Sequence, residues 1–262
     1  MAILETIHYK FNETSGTDVI DSSGNSYSAV NHGMSIVNGL FGKGLEGGRT
    51  SENYIARAWN SGLSKGDNFT FSFWYYNNGN PPHRNDITRT KDSLLTKSYT
   101  SFVDPHYEIN LFISGTRTSD DEGDYGKNKL YIYMSRNGIL YDLGTDYADS
   151  WIPEDQWNHI ILDYNSGNVI VKVNNVNVIN ESVGGSGSLS SYNTPYEIGS
   201  LTYNRTTTQR INGIIDDFRF YKFNLTTKDI SLLYNSGNGT ETDLLTLRNR
   251  ADFFSLSLGA EI

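Results

Sequence analysis

INGIIDDFRFYKFNLTTKDISLLYNSG, residues 211–237, is the most informative stretch of the chain. Its first half alternates as a strand does, with Ile214, Asp216, Phe218 and Phe220 on one face and Ile215, Asp217, Arg219 and Tyr221 on the other. Strict alternation turns Asp216 the way the core phenylalanines point. A carboxylate there is costly unless a cation, an arginine or backbone donors meet it. The second half carries the signals of a short helix. Thr226 suits the N-cap, Asp229 stands in the capping-box position, and Leu225 can staple onto Ile230. Ile230, Leu233 and Tyr234 form an apolar stripe, and Gly237 offers the glycine that closes helices.

The rest of the chain is a series of short strand patterns. Ile7, Tyr9 and Phe11 alternate with polar residues. Phe69, Phe71, Phe73 and Tyr75 line one side of a strand and Thr70, Ser72, Trp74 and Tyr76 the other, so this strand belongs inside a sandwich. Further strands are expected at 54–55, 94–95, 107–113, 130–134, 160–164, 169–173, 176–179 and 196–198, with a hairpin turn at Asn174-Asn175. Polar loops fill 77–92, 114–129 and 184–191. Short strands at this spacing predict an all-β fold, a two-sheet antiparallel sandwich with one short C-terminal helix. Residues 1–237 form one domain in this reading, and 238–262 an arm or extension.

Several segments resemble, in order, the laminin G-like, concanavalin A-like lectin/glucanase jelly-roll domains. They are Tyr9-Lys10-Phe11-Asn12 with Asp21-Ser22-Ser23-Gly24-Asn25, Phe41-Gly42-Lys43-Gly44-Leu45, and FTFSFW from Phe69 to Trp74. Gln156-Trp157-Asn158-His159-Ile160, Tyr196-Glu197-Ile198-Gly199-Ser200, and the strand from Gly213 to Tyr221 with its helix complete the series. The resemblance covers roughly residues 5–237 and implies a jelly roll. It implies no single activity, because lectins, adhesion modules, enzyme accessory domains and virion proteins share this fold. It also implies a structural calcium ion between the amino-terminal loop and the acid of the last strand. The matching positions are Asp21, Asn25 and Asp216, with Asp217 beside them, and their oxygen ligands suit a hard cation. The same residues allow another reading, in which Asp21 caps its own loop and Asp216 accepts backbone N–H bonds.

Composition narrows the partners. At 262 residues the chain can bury a sizeable core. A net charge of -9 argues against nucleic acid, whose phosphates are held by lysine and arginine. With no cysteine, disulfides and thiolate metal sites are impossible. Residues 1–9 lack the basic start and apolar run of a secretory signal, so synthesis in a cytoplasm is expected. No segment approaches the ~20 apolar residues of a membrane span. A surface rich in Asn, Gly, Ser, Thr and Tyr suggests, by analogy, a bacteriophage virion protein such as a capsid decoration or a tail fibre component. A free-standing carbohydrate-binding or cell-adhesion module, located outside the cell, is the alternative.

Catalysis has little support. Glucanases on the related fold carry a Glu-x-Asp-x-x-Glu strand, and Glu122-Gly123-Asp124 is followed by Tyr125-Gly126-Lys127 instead. Carbohydrate binding needs aromatic faces with amides and carboxylates nearby. The loop candidates are Trp59, Tyr76, Tyr99, Tyr125, Trp151 and Tyr203, each of which could equally serve core or inter-loop packing. The tail carries Leu244, Leu245, Leu247, Phe253, Phe254, Leu256 and Leu258. Such a tail packs on its own domain, as an added strand for instance, or acts as a docking arm for self-association or for other virion proteins.

Overall fold

The computed structural model describes residues 4–48, 53–58, 63, 65–79, 91–98, 107–114, 129–144, 152–184, 189–201 and 210–259. In chain order the strands begin β1 (Ile7–Tyr9), β2 (Asp18–Val19), β3 (Ala29–His32), β4 (Ser35–Asn38), β5 (Lys43–Gly48) and β6 (Tyr54–Arg57). β7 (Asn68–Asn77), β8 (Lys91–Ser98), β9 (Tyr107–Ser114), β10 (Leu130–Arg136) and β11 (Ile139–Gly144) follow. Then come β12 (Trp157–Asn165), β13 (Asn168–Val173), β14 (Val176–Ser182), β15 (Tyr196–Ile198) and β16 (Asn212–Tyr221). Two helices close the chain, α1 (Thr227–Tyr234) and α2 (Leu244–Gly259).

The first sheet runs β14-β13-β12-β7-β16-β5-β4, with β1 also pairing with β16. The second runs β11-β10-β9-β8-β15-β6-β3-β2. The two antiparallel sheets make the expected jelly-roll sandwich. Phe69, Phe71, Phe73 and Tyr75 of β7 and Phe218 and Phe220 of β16 face Leu95, Ile109, Leu111, Ile132 and Ile198 of the second sheet within one buried cluster. Phe71 stacks on Phe220 at 4.6 Å and lies 5.8 Å from Phe218. Burying each such ring contributes about 1.5–3 kcal/mol.

β16 does not alternate as its sequence does. Its pairing with β7 shifts between Asp216 and Arg219, and Asp217 takes a positive φ of 49°. The extra residue of this bulge reverses the parity. Ile215, Phe218 and Phe220 therefore enter the core, while Asp216, opposite Trp74, shares the outer side with Arg219 and Tyr221. The expectation that Asp216 points with the phenylalanines is corrected accordingly.

α1 starts as the sequence indicates. The Thr226 hydroxyl accepts from the Asp229 N–H, and the Asp229 carboxylate accepts from the Thr226 N–H at 2.9 Å. Its end differs from expectation, because Asn235 and not Gly237 is the left-handed cap (φ 47°). A second correction concerns the tail, which forms a helix and not a strand. Asp243 caps α2, its carboxylate accepting from the Thr246 N–H at 2.9 Å, and the Glu5 carboxylate takes the Leu244 N–H at 2.8 Å. Both acids answer donors that a helix start leaves open. Ile161, Tyr221, Leu225, Ile230, Leu233 and Leu244 then form a small second core over the outer side of the first sheet. Arg248 of α2 grips Asp229 through two 2.7 Å bonds. Thr226→Ala is expected to lower stability by about 1 kcal/mol in urea unfolding, the usual cost of a lost N-cap.

Candidate functional site

Two places on the sandwich concentrate polar side chains. The first lies where the opening loop meets β16. Asp21 is buried, and its carboxylate accepts the His8 and Ser23 N–H groups at Oδ1 and the Tyr27 N–H and Ser23 hydroxyl at Oδ2. His8 lies opposite Arg219 on paired strands, and its Nε2 is 2.7 Å from Asp217 Oδ1. The Arg219 guanidinium donates to both Asp217 oxygens, to Glu5 Oε1 at 3.2 Å and to the carbonyls of Thr240 and Thr242. Loop, strand and C-terminal segment thus meet around one buried arginine.

Burial sets the titration of this cluster, and its charges modify the outcome. It holds the His8 imidazole below its ordinary value, with Arg219 adding to the effect against Asp217. Burial would raise Asp217, but Arg219 and the His8 hydrogen bond outweigh it and keep that carboxyl below the usual range. Asp216 lacks such a cation. Burial, aided by the neighbouring Asp217 charge, pushes it up to about 8 despite N–H bonds from Phe41 and Asp217.

These residues do not fit the calcium ion that the resemblance implied. Four donors already fill the lone-pair sites of Asp21. The Asn25 side chain donates its amide to the carbonyls of Glu5 and Thr6. Asp216 meets backbone N–H groups, and Asp217 meets His8 and Arg219. Among the described residues, no group of three or more His, Asp or Glu is placed to hold a metal ion. The expected pin between loop and last strand exists, but a histidine and an arginine make it.

The second place is the outer side of the second sheet. On β9 and β10, Ile109, Leu111, Ile113, Leu130, Ile132 and Met134 enter the core, leaving Asn110, Phe112, Tyr131, Tyr133 and Ser135 on the opposite side. Cross-strand register aligns Glu197, Thr96, Asn110, Tyr133 and Asp142 in one row over β15, β8, β9, β10 and β11. Tyr133 lies 5.2 Å from the Tyr107 ring and 4.9 Å from the Phe112 ring, and Phe112 stacks on Tyr131. The row passes from buried Glu197, Thr96 and Asn110 to half-buried Tyr133 and exposed Asp142. Ser93 Oγ, Ser98 Oγ, Ser135 Oγ and Asn110 Nδ2 on this side are buried without a hydrogen-bond partner among the described residues. Each such group costs about 1–3 kcal/mol if nothing meets it. The sequence reading missed this row. Its signal was the polar and aromatic alternation of β9 and β10, but adjacency across strands is not written in either segment.

Of the loop aromatics singled out for sugar binding, Tyr76 is half-buried on β7 and packs edge-on against Trp157 at 5.6 Å. Trp59, Tyr99, Tyr125, Trp151 and Tyr203 lie outside the described residues. In the tail, Leu244 is buried and Leu247 packs against the second core, so these two contact their own domain and are withdrawn as docking residues. Leu245 is half-buried, and Phe253 is 70% exposed. The side chains of Phe254, Leu256 and Leu258 lie outside what is described. No helix among the described residues is long and apolar enough to cross a membrane.

A model of the family described as the concanavalin A-like lectin/glucanases superfamily matches residues 49–231. No curated protein matches the chain. Among solved structures, it is similar to domain 4 of an extracellular arabinanase from Geobacillus stearothermophilus, in complex with arabinotriose. Identity there is 19%, with a TM-score of 0.57 over 92% of this chain and 100% of that one. The binding domain of paraclostridial mosquitocidal protein 1 gives 19% identity and a TM-score of 0.62 over 90% of this chain. The ligand-binding domain of botulinum neurotoxin serotype D, in complex with N-acetylneuraminic acid, gives 14% and 0.60 over 88%. The chain spans about half the length of these toxin domains, 52% and 50%.

Arg219→Met leaves Asp217 and Glu5 buried without their cation and is expected to cost about 3–5 kcal/mol in urea unfolding. Asp216 titrates in the opposite sense to a salt-bridged acid. Its folded value lies above the ordinary one, so the folded state holds the extra proton and stability falls as pH rises from about 4 to about 8. Asp216→Asn is expected to flatten that arm of a plot of urea midpoint against pH.

Proposed function

Because the chain belongs to the concanavalin A-like lectin/glucanases superfamily, we propose that it is a non-catalytic binding module whose second sheet takes a glycan on its outer side. The row Glu197, Thr96, Asn110, Tyr133 and Asp142 carries this reading. It sets hydroxyl, amide and carboxylate groups beside aromatic rings, and it reaches solvent at the half-buried Tyr133 and the exposed Asp142. A polyhydroxylated ligand offers the Tyr133 hydroxyl and the Asp142 carboxylate hydrogen bonds and offers the Tyr133 ring its C–H face. The arabinotriose and N-acetylneuraminic acid held by the similar domains support the ligand class.

Binding without bond-making accords with the placement of the acids. Glu197 and Asp142 end the row four strand spacings apart, about 19 Å at the usual separation. Glycoside hydrolysis needs its two carboxyls within about 5–9.5 Å. The setting we propose is a phage particle, on which the chain serves as a capsid decoration or a tail or fibre component attached through the C-terminal part of α2. The Asn, Gly, Ser, Thr and Tyr composition and the exposed Phe253 support this setting. A carbohydrate-binding or adhesion module outside a cell is the second reading, favoured by the extracellular arabinanase domain.

Glycan-array screening followed by titration calorimetry tests the site. Asp142→Ala and Tyr133→Ala are each expected to weaken binding about tenfold, the equivalent of one good contact. If both variants fold and leave binding intact, this site falls. For the setting, deleting residues 253–262 is expected to abolish docking on the particle or self-association in size-exclusion chromatography. A loss of thermal stability alone would contradict it.

A further inference from the structure

The family resemblance calls for a calcium ion between the opening loop and the last strand, and the donors found there are engaged in another way. The Arg219 guanidinium is surrounded by oxygen atoms of the kind a calcium ion takes, the carboxylates of Asp217 and Glu5 and the carbonyls of Thr240 and Thr242, and of these Asp217 belongs to the expected ligand set. Its Nε lies 3.2 and 3.0 Å from the two Asp217 oxygens. The remaining N–H groups reach Glu5 Oε1 at 3.2 Å and the Thr242 carbonyl at 2.9 Å. His8 extends the bridge, joining Asp217 through its ring and Asp21 through its backbone N–H.

We infer that Arg219 and His8 together do the work of the bridging cation from the Asp217 side, so that the clamp between first loop and last strand is independent of metal. Two observations oppose a second cation there. The buried guanidinium repels any added positive charge. Glu5 Oε2 is the single carboxylate oxygen of the cluster left without a hydrogen-bond partner among the described residues, and a calcium ion takes six to eight oxygens. The geometry is also specific to arginine. A planar fork can meet two carboxylates and two carbonyls at once, which a lysine ammonium cannot do in the same plane.

The test compares the full chain in EDTA with the chain in millimolar Ca²⁺, by thermal unfolding and by calorimetric titration with calcium chloride. The expected result is an unchanged Tm and no stoichiometric heat. A ligand at a hundredfold its dissociation constant would raise the Tm of a chain this size by roughly 5–10 °C, and such a shift overturns the inference. Arg219→Ser removes the guanidinium and leaves its oxygen donors facing one another. This variant is expected to melt below the wild type in EDTA and to recover part of the loss in Ca²⁺. A folded variant indifferent to calcium would overturn the equivalence of guanidinium and metal ion. Should the variant not fold, the wild-type titration decides alone.

Discussion

A single buried guanidinium ties together the beginning, the last strand and the end of this chain. Arg219 is inaccessible to solvent, and its bonds reach Glu5 before β1, Asp217 within β16, and Thr240 and Thr242 ahead of α2. A charge buried in this way is tolerable only when every donor is met. The three segments are therefore fixed relative to one another as a condition of burying it. Glu5 shows the economy of the arrangement, since one oxygen accepts from Arg219, from the Tyr221 hydroxyl and from the first N–H of α2. The C-terminal segment consequently begins as part of the sandwich, whatever the far end of α2 does.

The two outer sides of the sandwich divide accordingly. On the first sheet, α1, α2 and the charge network leave little hydrogen-bonding capacity open. The Ser72 hydroxyl meets His159, Thr70 meets Asp163, and Trp74 stacks on His159 beneath Tyr234. The Trp74 and His159 ring nitrogens are exceptions, buried without a partner among the described residues. On the second sheet, aromatic rings and short polar side chains share a face, on which the hydroxyls of Ser93, Ser98 and Ser135 and the Asn110 amide are buried without a partner among the described residues. The first side is closed by the packing of α1 and α2.

Much of the architecture was legible beforehand because it rests on local rules. The alternation of β7 named its core residues correctly, and the capping box at Thr226 and Asp229 located the start of α1. The tail was harder to read. Leu244, Leu245 and Leu247 do not make a clean helical stripe, and the donors that start α2 are answered by Glu5, some 240 residues earlier in the chain. The polar row on the second sheet escaped for a similar reason, since Glu197, Thr96, Asn110, Tyr133 and Asp142 are neighbours through pairing register alone.

Period-two alternation, turn residues and caps were enough to specify an antiparallel sandwich with a short helix after its last strand, because each reports on a few consecutive residues. The side on which the Asp216–Asp217 doublet lies was settled elsewhere. One bulge residue, with φ at 49°, reverses the alternation and carries both acids to the outer side. There Asp217 finds His8 and Arg219, and Asp216 finds only backbone donors. Which acid obtains a cation depends on strands brought together from opposite ends of the chain, and local pattern contains no term for that.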